Sequence, residues 1–260
     1  MQIVVTMTSW KGRISYVGKS IFNFIQKQTI KPDLFYLWLA EEEFPNKEAD
    51  LPEELILICK GLNIKLCWTK ENEYCFKRWY IYPKHWEDFV ICIDEDQDYK
   101  SNTIELGLEY AKKFPNTIFS LADLFYSRLF NNSIHNELRH FYSNEPDFRY
   151  CFCGQCIIPP KCFPLNGWTE EQIKIRKEIC KKCDESWFNP WLVLNGIKCY
   201  CIRELNPKEY PNTQYNGLWH EMEGRIKYNI NKRDLQLLIV LKSNPELMSA
   251  WLKVFPLYKY

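Results

Sequence analysis

The chain has 260 residues, 46% hydrophobic and 26% charged, which is enough apolar material for one large folded domain. Its net charge of +1, with basic residues spread along the chain, excludes the basic field by which proteins recruit nucleic acid. The longest aliphatic run, Leu237 to Leu241, falls far short of the roughly 20 residues that cross a bilayer, so no transmembrane segment is expected.

The start, MQIVVTMTSW, lacks the basic, apolar and small-residue sections of a signal peptide, and the expected location is cytoplasmic. Ile3 to Met7 is β-branched and apolar and reads as a buried parallel strand. After a loop holding Thr8, Ser9 and Gly12, the spacing of Val17, Ile21, Phe24 and Ile25 predicts a helix over Tyr16 to Gln28. Leu34 to Ala40 is a second buried strand, and the acidic, proline-containing Glu41 to Pro52 is a loop. Ile64 to Trp68 supplies a third strand. Trp79 to Trp86 reads as partly helical, with Pro83 against it. Phe89 to Ile93 is a central strand that runs straight into Asp94, and Thr103 to Phe114 is the next helix.

The alternation of strand and helix predicts an α/β fold, a mostly parallel central sheet flanked by helices. Beyond Asn116 the rhythm weakens. Ile118 to Leu121 and Cys151 to Ile158 read as strands, the second closed by Pro159 and Pro160. Thr169 to Cys183 and Asp184 to Leu194 read as helices, as do Arg233 to Lys242 and Pro245 to Val254. The expected organisation is one domain over 1–205 and a helical C-terminal extension over 206–260 packed on it.

Open α/β sheets bind ligands at the carboxyl ends of their strands. Asp94, Glu95, Asp96 and Asp98 occupy such an end, and carboxylates this close repel one another unless a cation sits among them. Mn²⁺ or Mg²⁺ takes oxygen ligands from one or two carboxylates, water and phosphate, so Asp94-x-Asp96 could bridge a metal to a diphosphate. The plain alternative is an acidic loop that faces water.

IVVTMTSWKGRI, LWLAEEEFP and KRWYIYPKHWEDFVICIDEDQDY resemble the N-terminal half of bacterial family 2-like glycosyltransferases of the GT-A fold, found in capsule and lipopolysaccharide synthesis. CGQCIIPPKCF and KKCDESWFNPWLVLNGIKC resemble the acceptor-side segment of the same proteins. The resemblance covers most of 1–205 and implies a nucleotide-sugar half at 1–116 and an acceptor half at 117–205. It implies a UDP-sugar donor, a glycan or lipid-linked glycan acceptor, and inversion at the transferred carbon. It casts Asp94 and Asp96 as metal ligands, with Glu95 between them pointing away. Thr8, Ser9, Trp10 and Arg13 match the loop against the nucleotide, and Lys77 matches a phosphate contact. Of the acidic pair Asp184 and Glu185, one is the general base, the second by the family pattern; Gly154 and Trp187 lie on the acceptor side.

Twelve cysteines without a secretion signal argue against a disulfide framework, and eight fall between Cys151 and Cys201. Cys153-x-x-Cys156 and Cys180-x-x-Cys183 have zinc-ribbon-like spacing, although a cysteine-rich stretch generates such pairs by chance. A zinc-braced or non-catalytic binding protein is therefore the competing reading. His220 could complete a metal shell, or serve structurally. The aromatic, basic end WLKVFPLYKY could touch a membrane peripherally, or pack on the domain.

Overall fold

In a computed structural model of the chain, residues 1–122, 145–148, 151, 153–165, 168–210, 225–226 and 230–255 are described, with backbone alone at 225–226 and 230–234. Four parallel strands build the first half of the sheet: β1 (Ile3–Thr8), β2 (Leu34–Ala40), β3 (Lys65–Thr69) and β4 (Phe89–Ile93). A two-residue strand, β5 (Gln97–Asp98), follows them. The second half contains β6 (Thr117–Ser120), β7 (Cys156–Ile158) and β8 (Lys198–Cys201). Among the described residues these give one seven-stranded sheet in the order β3-β2-β1-β4-β7-β6-β8. β7 is antiparallel to both neighbours, β4 and β6, and the other pairings are parallel. The expected α/β class with a mostly parallel sheet is what the chain forms.

The all-apolar strands are explained by burial on both faces. Along β4 the side chains alternate between two cores: Phe89, Ile91 and Ile93 join one, Val90 and Cys92 the other. The first core is closed by helices α1 (Ile14–Lys27), α2 (Glu53–Gly61) and α3 (Thr103–Lys113), through residues such as Val17, Ile21, Leu55 and Ile104. The second core contains Phe76 and Trp79 from the 3-10 segment Tyr74–Ile81, and the helix α5 (Asp184–Leu194). It is covered by helices α6 (Lys232–Ser243) and α7 (Pro245–Val254), both packed on α5. That double cover buries α5 almost all round, from Asp184 to Val193.

Several local outcomes differ from the sequence reading. α2 was not expected, because LILIC is apolar without a clear helical period; Leu55 and Cys59, one turn apart, are buried, Ile56 and Ile58 pack partly against the core, and Leu57 stays 62% exposed. The strand expected over Cys151 to Ile158 shortens to Cys156–Ile158. The helix expected over Thr169 to Cys183 is α4 (Glu170–Ile179), begun by a capping box between Thr169 and Gln172 and ended at Cys180. The partial helix at Trp79 to Trp86 is instead the 3-10 segment ending at Ile81, with a cis peptide at Tyr82-Pro83. Arg176 of α4 reaches that segment: it is 1% exposed, pairs with Glu73 and lies 4.2 Å over the Phe76 ring.

The chain moves outward from β1 to β2 and β3, then returns to place β4 on the other flank of β1. The crevice beyond the carboxyl ends of β1 and β4 is thus a topological switch point, where such sheets bind ligands.

Candidate functional site at the carboxyl ends of β1 and β4

Thr8 to Arg13 leave the end of β1. The Thr8 hydroxyl donates to Trp38 O (3.0 Å) and Ser9 N–H to the same oxygen (3.3 Å), pinning the loop to β2. Ser9 is buried, and its hydroxyl has no hydrogen-bond partner among the described residues. Trp10 covers Gly12 so closely that a Cβ there would lie 2.4 Å from the indole ring. Arg13 reaches across to the end of β4, where Nη1 lies 3.2 Å from Glu95 Oε1 and 2.8 Å from Asp96 Oδ2.

The cluster's charge is held by two arginines. Arg78 Nη1 lies 2.7 Å from Asp94 Oδ1 and donates to Gly154 O at 2.7 Å. Gln155 Nε2 donates to the other Asp94 oxygen at 3.4 Å, and the Asp94 amide donates to Tyr99 Oη at 2.8 Å. Asp94 and Asp96 side chains are 19% and 18% exposed, whereas Glu95 is 6% exposed. Burial pushes Glu95 up to about 7, with Asp96 adding to the shift and Arg13 opposing it. Asp96 is also raised, by burial and by the charge of Asp94. Glu95 and Asp96, packed at one strand end, therefore hold their protons more tightly than free carboxylates, despite Arg13.

Lys77, expected as a phosphate contact, is 1% exposed; its ammonium donates to Ser9 O (2.9 Å) and Asn72 Oδ1 (3.2 Å), with Glu43 Oε2 at 3.6 Å. Burial lowers its proton affinity, with Glu43 opposing. Its observed role is to brace the loop after β1. Gly154, expected on the acceptor side, lies against Asp94, expected on the donor side, since a Cβ there would sit 2.9 Å from Asp94 Oδ2. Trp187 is also placed differently from the expectation: it is 2% exposed and packs in the core beside Trp191, because α5 has no solvent face there.

Asp184 and Glu185 open α5, both buried. Trp79 Nε1 donates to Asp184 Oδ2 at 2.7 Å, and the Cys183 thiol donates to Glu185 Oε2 at 3.2 Å. Burial pushes Asp184 up to about 7; Glu185 and Asp94 add to that, while Arg78 and the Trp79 hydrogen bond oppose it. The acidic pair and the β4 cluster are therefore close enough to feel each other's charge. Arg78, Trp79 and Gln155 escaped the sequence reading, although the first two directly follow Lys77 in the run Lys-Arg-Trp.

The zinc reading is not met. Cys153, Cys156, Cys180 and Cys183 are all buried and outside disulfides, and among the described residues no three or more His, Cys, Asp or Glu side chains are grouped to hold a metal ion. Cys156 instead faces Cys92 across the β4–β7 pair, and burial pushes the thiols of Cys156 and Cys180 up. These cysteines act as small core residues. His220 lies outside the described residues. No helix among them is long and apolar enough to cross a membrane.

No protein-family model matches the chain, and no curated protein does either. Solved structures similar to it include S. aureus TarS 1-349 in complex with UDP-GlcNAc, 12% identical over 98% of this chain and 82% of that chain, with a TM-score of 0.47. The complex of TarS 1-349 with UDP is 14% identical over 80% and 59%, also with a TM-score of 0.47. The chain spans 59% of another TarS 1-349 structure and 36% of TarS, at 11% and 12% identity. With TM-scores below 0.5 the likeness carries no argument about chemistry, which rests on the residues themselves.

Proposed function

We propose that the chain is a glycosyltransferase moving a sugar from a nucleotide-diphosphate donor, a UDP-sugar, to a hydroxyl of a bacterial surface glycan. The observation that carries this reading is the juxtaposition at the switch point. The acidic strand end lies within electrostatic reach of the buried Asp184, whose proton affinity is near neutrality, and Arg78 feels both Asp94 and Asp184. The resemblance of 77–99 and 181–199 to family 2-like GT-A transferases supports the same assignment.

A divalent ion, Mg²⁺ or Mn²⁺, is assigned to Asp94 and Asp96, each of which also pairs with an arginine, Arg78 and Arg13 respectively. Asp94 and Asp96 are the partly exposed members of the cluster, and such ions take one or two carboxylates with phosphate and water completing the shell. The protein would thus supply two ligands rather than a closed cage. Bound there, the ion would neutralise charge on the departing nucleoside diphosphate. Ser9, whose buried hydroxyl has no partner among the described residues, and Trp10 lie on the loop assigned to the nucleotide.

Asp184 is assigned the general base, ahead of Glu185. A carboxylate with affinity about 7 takes a hydroxyl proton more readily than an ordinary aspartate, and the Trp79 hydrogen bond fixes its orientation. Attack by the activated hydroxyl would proceed with inversion. The acceptor is a glycan or lipid-linked glycan, reached from the cytoplasmic side with peripheral membrane contact by the C-terminal extension.

Thermal shift with UDP-sugars, with and without Mn²⁺, tests the reading. A stabilisation that needs the metal and is lost in Asp96→Ala is expected, together with metal-dependent transfer. Absence of stabilisation by any uridine, guanosine or cytidine donor would remove the donor-site assignment.

A further inference from the structure

Arg78 and Trp79 are consecutive residues of Tyr74–Ile81, yet each is committed to a different part of the site. Arg78, 5% exposed, spends Nη1 on Asp94 Oδ1 and Gly154 O, both at 2.7 Å, and Nε on Cys75 O at 3.3 Å. Trp79, 1% exposed, spends its single N–H on Asp184 Oδ2. The backbone beneath them is anchored: the Thr6 hydroxyl of β1 donates to Arg78 O at 3.1 Å, and Arg176 clamps the segment through Glu73 and Phe76. The Trp79 ring is set by Phe188 (4.7 Å between centroids) and Phe163 (5.5 Å), so the N–H direction is determined by packing.

We infer that Tyr74–Ile81 is a two-sided positioning element, in which Arg78 orients the donor-side carboxylate Asp94 and Trp79 orients the acceptor-side carboxylate Asp184. This rests on the glycosyltransferase reading and names two residues that act through others. A buried carboxylate takes its orientation from its donors: without Trp79 the Asp184 group rotates or takes a proton, and without Arg78 the Asp94 side chain keeps only the longer Gln155 bond at 3.4 Å. Because the two side chains leave one short anchored backbone, they also fix the distance between the groups they hold, a requirement when an attacking oxygen and a leaving group must align.

The two arms predict opposite kinetic signatures, which a purely structural role does not. Trp79→Phe keeps an aromatic ring in the packed position and removes only the N–H. It is expected to lower kcat about 10- to 100-fold with donor KM nearly unchanged, and to move the acid limb of the kcat profile upward. Arg78→Met is expected to raise donor KM about tenfold, with Arg78→Lys recovering part of the loss. Asp184→Asn is the reference. Near-complete loss there with wild-type kinetics in Trp79→Phe would overturn the inference alone; full activity in Asp184→Asn would overturn the base assignment and the inference together. Should Trp79→Phe fail to fold, benzothienylalanine at position 79 keeps the ring shape without the N–H. Unchanged kcat in that protein overturns the inference, and a fall supports it.

Discussion

Replacing Asp184 by asparagine should stabilise the protein at alkaline pH while abolishing transfer. The folded state holds the Asp184 proton up to about 7, against 3.8 for the ordinary group, because the carboxylate is buried beside Glu185 and Asp94. Roughly three pH units at about 1.4 kcal/mol each correspond to about 4 kcal/mol. The sign follows from proton counts. Below about pH 4 both states are protonated and the full stability is present. Between pH 4 and 7 the unfolded chain has released the proton and the folded one has not, so stability falls as pH rises through the folded value. Asparagine has no such step, and its side-chain oxygen can still accept from Trp79, though the buried amide keeps some desolvation cost. Urea unfolding across pH 4 to 8 should therefore show the variant nearly equal to the wild type at the acid end and about 2–4 kcal/mol more stable at pH 8. Arg78, Glu185 and Asp94 remain in both proteins, so the difference reports position 184 together with its coupling to them. A difference that does not change with pH, or a variant less stable at pH 8, would refute the buried-acid account.

Arg13→Met strands Glu95 and Asp96 without their shared partner and should cost about 3–5 kcal/mol in urea unfolding near pH 8, less at pH 5 where Glu95 is protonated. Gly154→Ala places a methyl 2.9 Å from Asp94 Oδ2; calorimetric donor affinity should fall about tenfold, against a stability loss of about 1–2 kcal/mol. Thr169→Ala removes the capping box of α4 and should cost about 1 kcal/mol, with Thr169→Ser close to the wild type in the same unfolding assay.

The parts of the fold legible in the sequence are those whose signal is local. IVVTM, LFYLWLA and FVICI are apolar almost throughout because both faces of each strand are buried, and their bounds emerge within a residue of the observed ones. Asp184–Leu194 is legible for a similar reason, as a helix buried all round. β7 and β8 are only three and four residues long and owe their extended form to neighbours in the sheet, so local sequence says little about them. The site divides the same way. An acidic run at a strand end is visible as a pattern. The partners that give it meaning are not, since Arg13 lies 82 residues from Glu95 and Trp79 lies 105 from Asp184. For Lys77 the residue type suggested an anion contact, and only the fold reveals the Ser9 carbonyl and Asn72 waiting for its ammonium.

The reversed direction of β7 determines where length variation can reach the chemistry. A parallel strand delivers the residues that follow it to the ligand end of a sheet, but an antiparallel one delivers those that precede it; hence Gly154 and Gln155, just before Cys156, meet Asp94. The residues leaving β7 emerge at the opposite end, where Lys161 N–H bonds to Trp86 O, ahead of β4. Insertions entering β7 would therefore reshape the crevice. Insertions leaving it would lengthen the far rim, away from Asp94, so one side of this strand can vary in length without disturbing the crevice.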